Sequence, residues 1–163
     1  MDRLGEAKMN LANLVSIPGG ELLFVVSALL FNLFIIGVYL SQKLNKPALV
    51  HKFGIALLCL TVPFLVAFIS FLIAGKPTWQ YLVFLAIFVY MFLEWLWDYR
   101  MKIDFRSQPK LHIPYIILFY IVLFGNIRIA FTISSTWGWI ISVSFWLLLA
   151  ALIVSLVPVR RRN

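Results

Sequence analysis

The stretch LLFVVSALLFNLFIIGVYL, residues 22–40, runs directly into SQKLNKPALVHKF, residues 41–53. The first part holds no charged residue and one amide, Asn32. About 20 apolar residues at about 1.5 Å each match the roughly 30 Å hydrocarbon layer of a bilayer, so the stretch predicts a membrane span. The second part places Lys43, Lys46 and Lys52 where that span leaves the membrane. This alternation of apolar run and basic gap decides both the fold class and its orientation.

Working outward, the same reading gives five spans, at about 21–40, 54–74, 79–98, 113–131 and 137–157. They make residues 1–163 a single all-α membrane domain, a bundle of five transmembrane helices, with a short outer N-terminal segment at 1–20 and a basic cytoplasmic tail at 158–163. Composition agrees: 63% of residues are hydrophobic and 12% charged, far from soluble globular usage, and the mean hydropathy is +0.99. Residues 1–20 are charged and interrupted by Pro18-Gly19-Gly20, unlike the short apolar core and cleavage site of a signal peptide.

Lys43, Lys46, Lys52, Arg100, Lys102, Arg106, Lys110 and Arg160 to Arg162 make ten of the 14 basic residues fall on one side. Arg3, Lys8, Lys76 and Arg128 belong to the other. Basic residues collect on the cytoplasmic side, which predicts N-out and C-in, in a membrane of the prokaryotic cytoplasmic type. The net charge of +8 then reflects a basic rim facing anionic lipid headgroups and requires no nucleic acid partner. Trp79, Trp95, Trp97, Trp137 and Trp139 lie near predicted span ends, as an interfacial aromatic belt would.

Gly75-Lys76-Pro77-Thr78 and the segment Thr132 to Thr136 are tight outer turns, so spans two and three, and four and five, pair as antiparallel hairpins. The connections 41–53 and 99–112 are read as longer. In span two, Ala56, Cys59, Pro63, Ala67, Ser70 and Ala74 share a helical face of small residues, a seam for close packing. Pro63 removes the hydrogen bond to the Cys59 carbonyl and predicts a kink there. The plain reading is a bent packing seam; the sharper one is a kink that opens a pocket.

Polar residues inside the spans are the candidates for function. Asn32 shares a face with Glu21, Ala28, Ile35 and Tyr39 that must point into the bundle, either as structural glue or as a ligand contact. Asn126 aligns with Tyr115, Phe119 and Val122 on the buried face of span four. Arg128 lies about 200° around from it and either snorkels to lipid phosphate or pairs with Glu21.

The richest segment is Glu94 to Arg106, EWLWDYRMKIDFR. Gln80, Phe84, Ile87, Met91, Glu94 and Asp98 trace one face of span three, which would stack Glu94 over Asp98 one turn apart at the inner end. From Asp98 onward Tyr99, Met101, Ile103 and Phe105 alternate with charges, a period-two pattern that predicts an extended segment on the inner interface. Three readings compete. The segment is a membrane-surface anchor; or Glu94 and Asp98, with Arg100, Lys102 and Arg106, form a ligand site; or Glu94 and Asp98 act as acid and base on lipid headgroups. No nucleophile or metal cluster accompanies the acids.

His51 and His112 both fall at inner span ends, a depth that invites thought of a bis-imidazole haem; without HxxxH or His/Cys spacing, interfacial histidine is the better reading. Cys59 is the single cysteine. No cofactor and no metal is therefore expected, and no family motif is present. The expected partners are membrane lipids, anionic headgroups at the cytoplasmic rim, and either a partner protein or a second copy of the chain. The function expected is non-enzymatic: an accessory subunit of a membrane complex, or a binder of a lipid-like, amphipathic ligand near that rim. A headgroup-modifying enzyme is the alternative, and a proton or ion conductor along Asn32, Asn126 and Glu94 the third.

Overall fold

Proline starts three of the helices among the described residues. Its fixed φ suits the first helical position, where its missing N–H is not needed. Pro18, Pro47 and Pro109 each open one. The computed structural model describes residues 18–101 and 108–156. Helix α1 spans Pro18–Lys43, α2 Pro47–Cys59, α3 Thr61–Ile73, α4 Thr78–Glu94, α5 Pro109–Ile133 and α6 Ser135–Leu156, with a π-helical segment at Trp95–Met101 directly after α4. Together they provide five membrane-length units: Gly19–Lys43, Pro47–Ile73, Thr78–Met101, Pro109–Ile133 and Ser135–Leu156. Most of the expected outer segment, the tail, Lys102, Arg106 and the end of the alternating segment lie outside the described residues.

The connections expected to be long are short. The 41–53 gap shrinks to Leu44–Lys46, because α1 runs on to Lys43 and α2 begins at Pro47. Lysines beyond the hydrocarbon do not oppose a helix, since they reach headgroups and water from its last turns. Asn45 closes α1 in the left-handed region at φ 53°. The Asn45 and Lys46 N–H groups donate back to the Gln42 and Ser41 carbonyls, both at 3.0 Å. Gly75, at φ 61°, closes α3 in the same way, with Gly75 and Lys76 N–H groups bonded to Leu72 and Phe71 carbonyls at 3.1 Å. Asn and Gly are the residues that reach this conformation at least cost. Ser134 alone joins α5 to α6, and its hydroxyl accepts the Trp137 N–H at 3.2 Å as a helix cap.

The second span breaks at Leu60, one turn ahead of Pro63, where the Leu60 N–H turns to the Leu57 carbonyl at 3.1 Å. This break also divides the stripe of small residues expected to form one seam. Ala67 is buried, whereas Cys59 and Ala74 are exposed, and the buried face runs instead through Gly54, Leu57, Leu60, Phe64, Ala67 and Phe71.

Helix α1 packs against α2, α3, α5 and α6. Its rings also reach α4, with Phe24 5.4 Å from Phe84 and Phe31 5.6 Å from Tyr90 between centroids. Phe24, Phe31, Phe64, Phe71 and Phe84 are fully buried. Most of their contacts are edge-on, the geometry that aromatic quadrupoles favour. The faces predicted by helical spacing are the buried ones: Ala28, Asn32 and Ile35 on α1, Gln80 through Glu94 on α4, and Tyr115, Phe119, Val122 and Asn126 on α5.

Amides lock this arrangement from within. Asn32 Nδ2 donates to Ser144 Oγ at 2.7 Å, tying α1 to α6, and Gln80 Nε2 donates to Thr132 Oγ1 at 3.2 Å, tying α4 to α5. A double-mutant cycle of Asn32→Ala and Ser144→Ala, measured by unfolding in mixed micelles, should give a coupling of about 0.6 kcal/mol, with about 1.7 as a ceiling. Strict additivity would contradict a bond that links the two spans.

Candidate functional site

Glu94 is the last residue of α4, on the face that α4 turns into the bundle, and is buried. Beyond it the backbone widens into the π-helical segment Trp95–Met101. Asp98 through Met101 are therefore helical, not extended as their alternation predicts. Tertiary contact explains the difference. The Tyr99 ring lies 5.4 Å from the His51 ring, and its hydroxyl donates to the His51 carbonyl at 3.4 Å. That hydroxyl occupies the space where a side chain at Gly54 would begin, so the absence of a Cβ on α2 lets the segment dock. A π turn holds more residues than an α turn, which moves Asp98 from the position directly beneath Glu94.

Across from Glu94, the Tyr115 hydroxyl donates to Glu94 Oε2. The Tyr90 and Tyr115 hydroxyl oxygens are 2.9 Å apart and their rings stack at 5.3 Å. Two helices thus place one phenol on the buried acid and a second phenol against the first, with Trp97 packed 6.0 Å from the Tyr115 ring. A carboxylate has about four acceptor positions, so one group can serve Tyr115 and a further donor.

Two cavities meet on Glu94. The larger, about 320 Å³, lies between α1, α4, α5 and α6. Its walls are mostly apolar, including Ile35, Leu57, Phe119 and Leu152, and its polar side chains include Glu94, Tyr115, Tyr90, Tyr39, Gln42 and His112. The smaller, about 280 Å³, lies between α1, α2 and the π-helical segment, and is lined by His51, Asp98, Tyr99, Gln42 and Glu94 among others. Glu94, Gln42 and Val38 belong to both linings.

The structure brings together only part of the predicted set. Glu94 and Asp98 share the smaller cavity, while Arg100 is exposed and lines neither. Asn32 and Asn126 are buried elsewhere in the bundle and also line neither cavity. Both side-chain polar atoms of Asn126 have no hydrogen-bond partner among the described residues. Lys102 and Arg106 lie outside those residues. The expected Glu21–Arg128 pair does not form. Glu21 pairs with Lys76 at 2.5 Å, because α1 packs beside α3, whose closing turn carries Lys76. Arg128 instead places its guanidinium 4.3 Å over the Trp79 ring. The described residues hold no group of three or more His, Cys, Asp or Glu side chains placed to bind a metal.

Sequence reading assigned Tyr115 to the buried face and Tyr90 to no role, and so missed the phenol that addresses Glu94 and the one set against it. A depth count would have found Tyr115. It stands six residues into α5, and Glu94 stands seven before the end of the adjacent antiparallel unit, Thr78–Met101. Comparison of the chain with protein-family models, curated proteins and solved structures gives no match.

Breaking this contact has a measurable cost. Tyr115→Phe should lower stability in detergent by about 1–3 kcal/mol, the range for leaving a buried hydrogen-bonding group without its partner. The loss should shrink when Glu94→Gln is already present. An equal loss in both backgrounds would show that the phenol acts by packing alone.

Proposed function

We propose that this protein binds a small amphipathic, lipid-like molecule at the end of the bundle where its basic residues gather. The observation that carries this reading is the buried Glu94 carboxyl, fixed by Tyr115 and set in the shared wall of two cavities. Ligand sites are mostly apolar concavities of about 300–1,000 Å³ with a few convergent polar groups, a description the larger cavity meets. A polar head carrying hydrogen-bond donors, such as an amine, would address Glu94, and the apolar body would lie against Ile35, Phe119 and Leu152. The smaller cavity, which carries His51 and Asp98, supplies the approach from the basic face.

Orientation belongs to the same proposal. With Lys43, Lys46, Lys52, Arg100 and Lys110 at one face, that face is cytoplasmic and the Lys76 turn lies outside, so the ligand is taken at the cytoplasmic rim, among anionic headgroups. A second reading, a headgroup-modifying enzyme with Glu94 and Asp98 as acid and base, is favoured by one observation: both acids line the smaller cavity.

Native mass spectrometry of protein extracted in mild detergent separates these readings. A bound small mass retained by the wild type and lost from Glu94→Gln is the expected result. Retention of a protein chain with no small molecule would replace the proposal with an accessory-subunit role. Turnover of an added lipid that disappears with Glu94→Gln would favour the enzyme.

Orientation is tested with single cysteines in a Cys59→Ser background. A membrane-impermeant thiol reagent added outside intact cells should label Thr78→Cys and spare Lys46→Cys. The reverse pattern would invert the topology.

A further inference from the structure

Between α4 and α5 an open groove of about 560 Å³ runs on the lipid-facing side from Ile116, beside Tyr115, to Arg128 near the end of the bundle opposite Glu94. Close approach of the two helices shapes its floor: a Cβ at Gly125 would come within 2.6 Å of Val83 Cγ1. Ile117, Ile121 and Phe124 stand along it, each about half exposed. Ile116 and Arg128 bound it along α5, twelve residues or about 18 Å apart at about 1.5 Å per residue. That is slightly more than one leaflet of the roughly 30 Å hydrocarbon layer.

The polarity of the groove changes once, at its end. Arg128 lies five residues before the end of α5, and its guanidinium rests over Trp79, the second residue of α4. The ring partner thus draws the charge up toward the headgroup level. Arg128 is exposed, and no acidic side chain among the described residues pairs with it, since the acid on this face, Glu21, is held by Lys76. A guanidinium set over a ring still has N–H groups to donate, and its fork matches a phosphate with two parallel hydrogen bonds.

From this match of charge at one end and apolar length along the rest, we infer that the groove is a binding site for an anionic glycerophospholipid of the leaflet at this face. The phosphate sits on Arg128 and one acyl chain lies along Gly125, Ile121 and Ile117. The groove shares Ile116 and Tyr120 with the larger Glu94 cavity, but its phosphate end lies at Arg128, and the inference does not rest on the reading given to Glu94.

The test is a native mass-spectrometric titration of the full-length, detergent-solubilised protein with phosphatidylglycerol and, separately, phosphatidylcholine. One phosphatidylglycerol should bind about tenfold more tightly than phosphatidylcholine, whose phosphate is already balanced by its own choline cation; tenfold corresponds to about 1.4 kcal/mol. Arg128→Gln should remove the preference, and Arg128→Lys should keep part of it. Ile121→Trp, at a lipid-facing position, should block the groove and weaken both lipids. Lys110→Gln, on the basic face, should leave this first binding event unchanged. Equal binding of the two lipids by the wild type would overturn the inference. So would a preference that survives Arg128→Gln or is lost with Lys110→Gln.

Discussion

Hydrocarbon offers no hydrogen bonds, so each polar side chain that this chain carries into the membrane must find its partner on another part of the protein. The arrangement of the spans meets that demand at four places and leaves Asn126 without a partner among the described residues. Asn32 reaches Ser144, Gln80 reaches Thr132, Glu94 receives Tyr115, and Glu21 takes Lys76. Each contact joins two different elements, and together they tie α1 to α6, α4 to α5 at two depths, and α1 to the turn after α3. Apolar packing alone would leave helices in lipid free to slide, because a leucine gains little by exchanging an acyl chain for another side chain. The phenylalanines around Phe24 and Phe31 fill the interior, and the polar contacts set which faces meet there.

The candidate site arises where this demand meets the end of the membrane. Glu94 sits at the last α-helical position before the backbone widens, and the widening is anchored by Tyr99 on α2. A continuous α-helix would have stacked Asp98 under Glu94 on one face. The π-helical segment instead offers the acids to a cavity that approaches from the basic face, and leaves Glu94 also in the wall of the inner one. Helical segments of this kind occur often at functional positions, because a bulge re-aims side chains while the helix on either side stays packed.

Much of the fold was legible in the residues. Five apolar runs, the buried faces of α1, α4 and α5, and the interruption before Pro63 all follow from hydropathy, helical period and proline chemistry. What was not legible depended on contacts between distant segments. Period two at Asp98 to Met101 is a local signal, and it lost to the docking of Tyr99 against a glycine more than forty residues earlier. Glu21 had two basic residues within reach by depth, Lys76 and Arg128, and only the order of helices around α1 decides between them. The helix ends at Lys43 and Pro47 were obscured because charge reads as loop in water and as helix terminus at a membrane surface. Within the site, the acid was recognisable as a lone intramembrane carboxyl. Its phenol partner Tyr115 was not, because a tyrosine on an apolar face carries no pattern that separates core packing from a polar task.

The measurement that bears most directly on the proposed function is the electron density between α1, α5 and α6 in crystals grown from a lipid mesophase with no ligand added. Elongated density that touches Glu94 and Tyr115 and runs toward Phe119 and Leu152 is the predicted result. A space closed by the surrounding side chains, with Glu94 bonded only to protein, would contradict it and leave the acid as part of the scaffold.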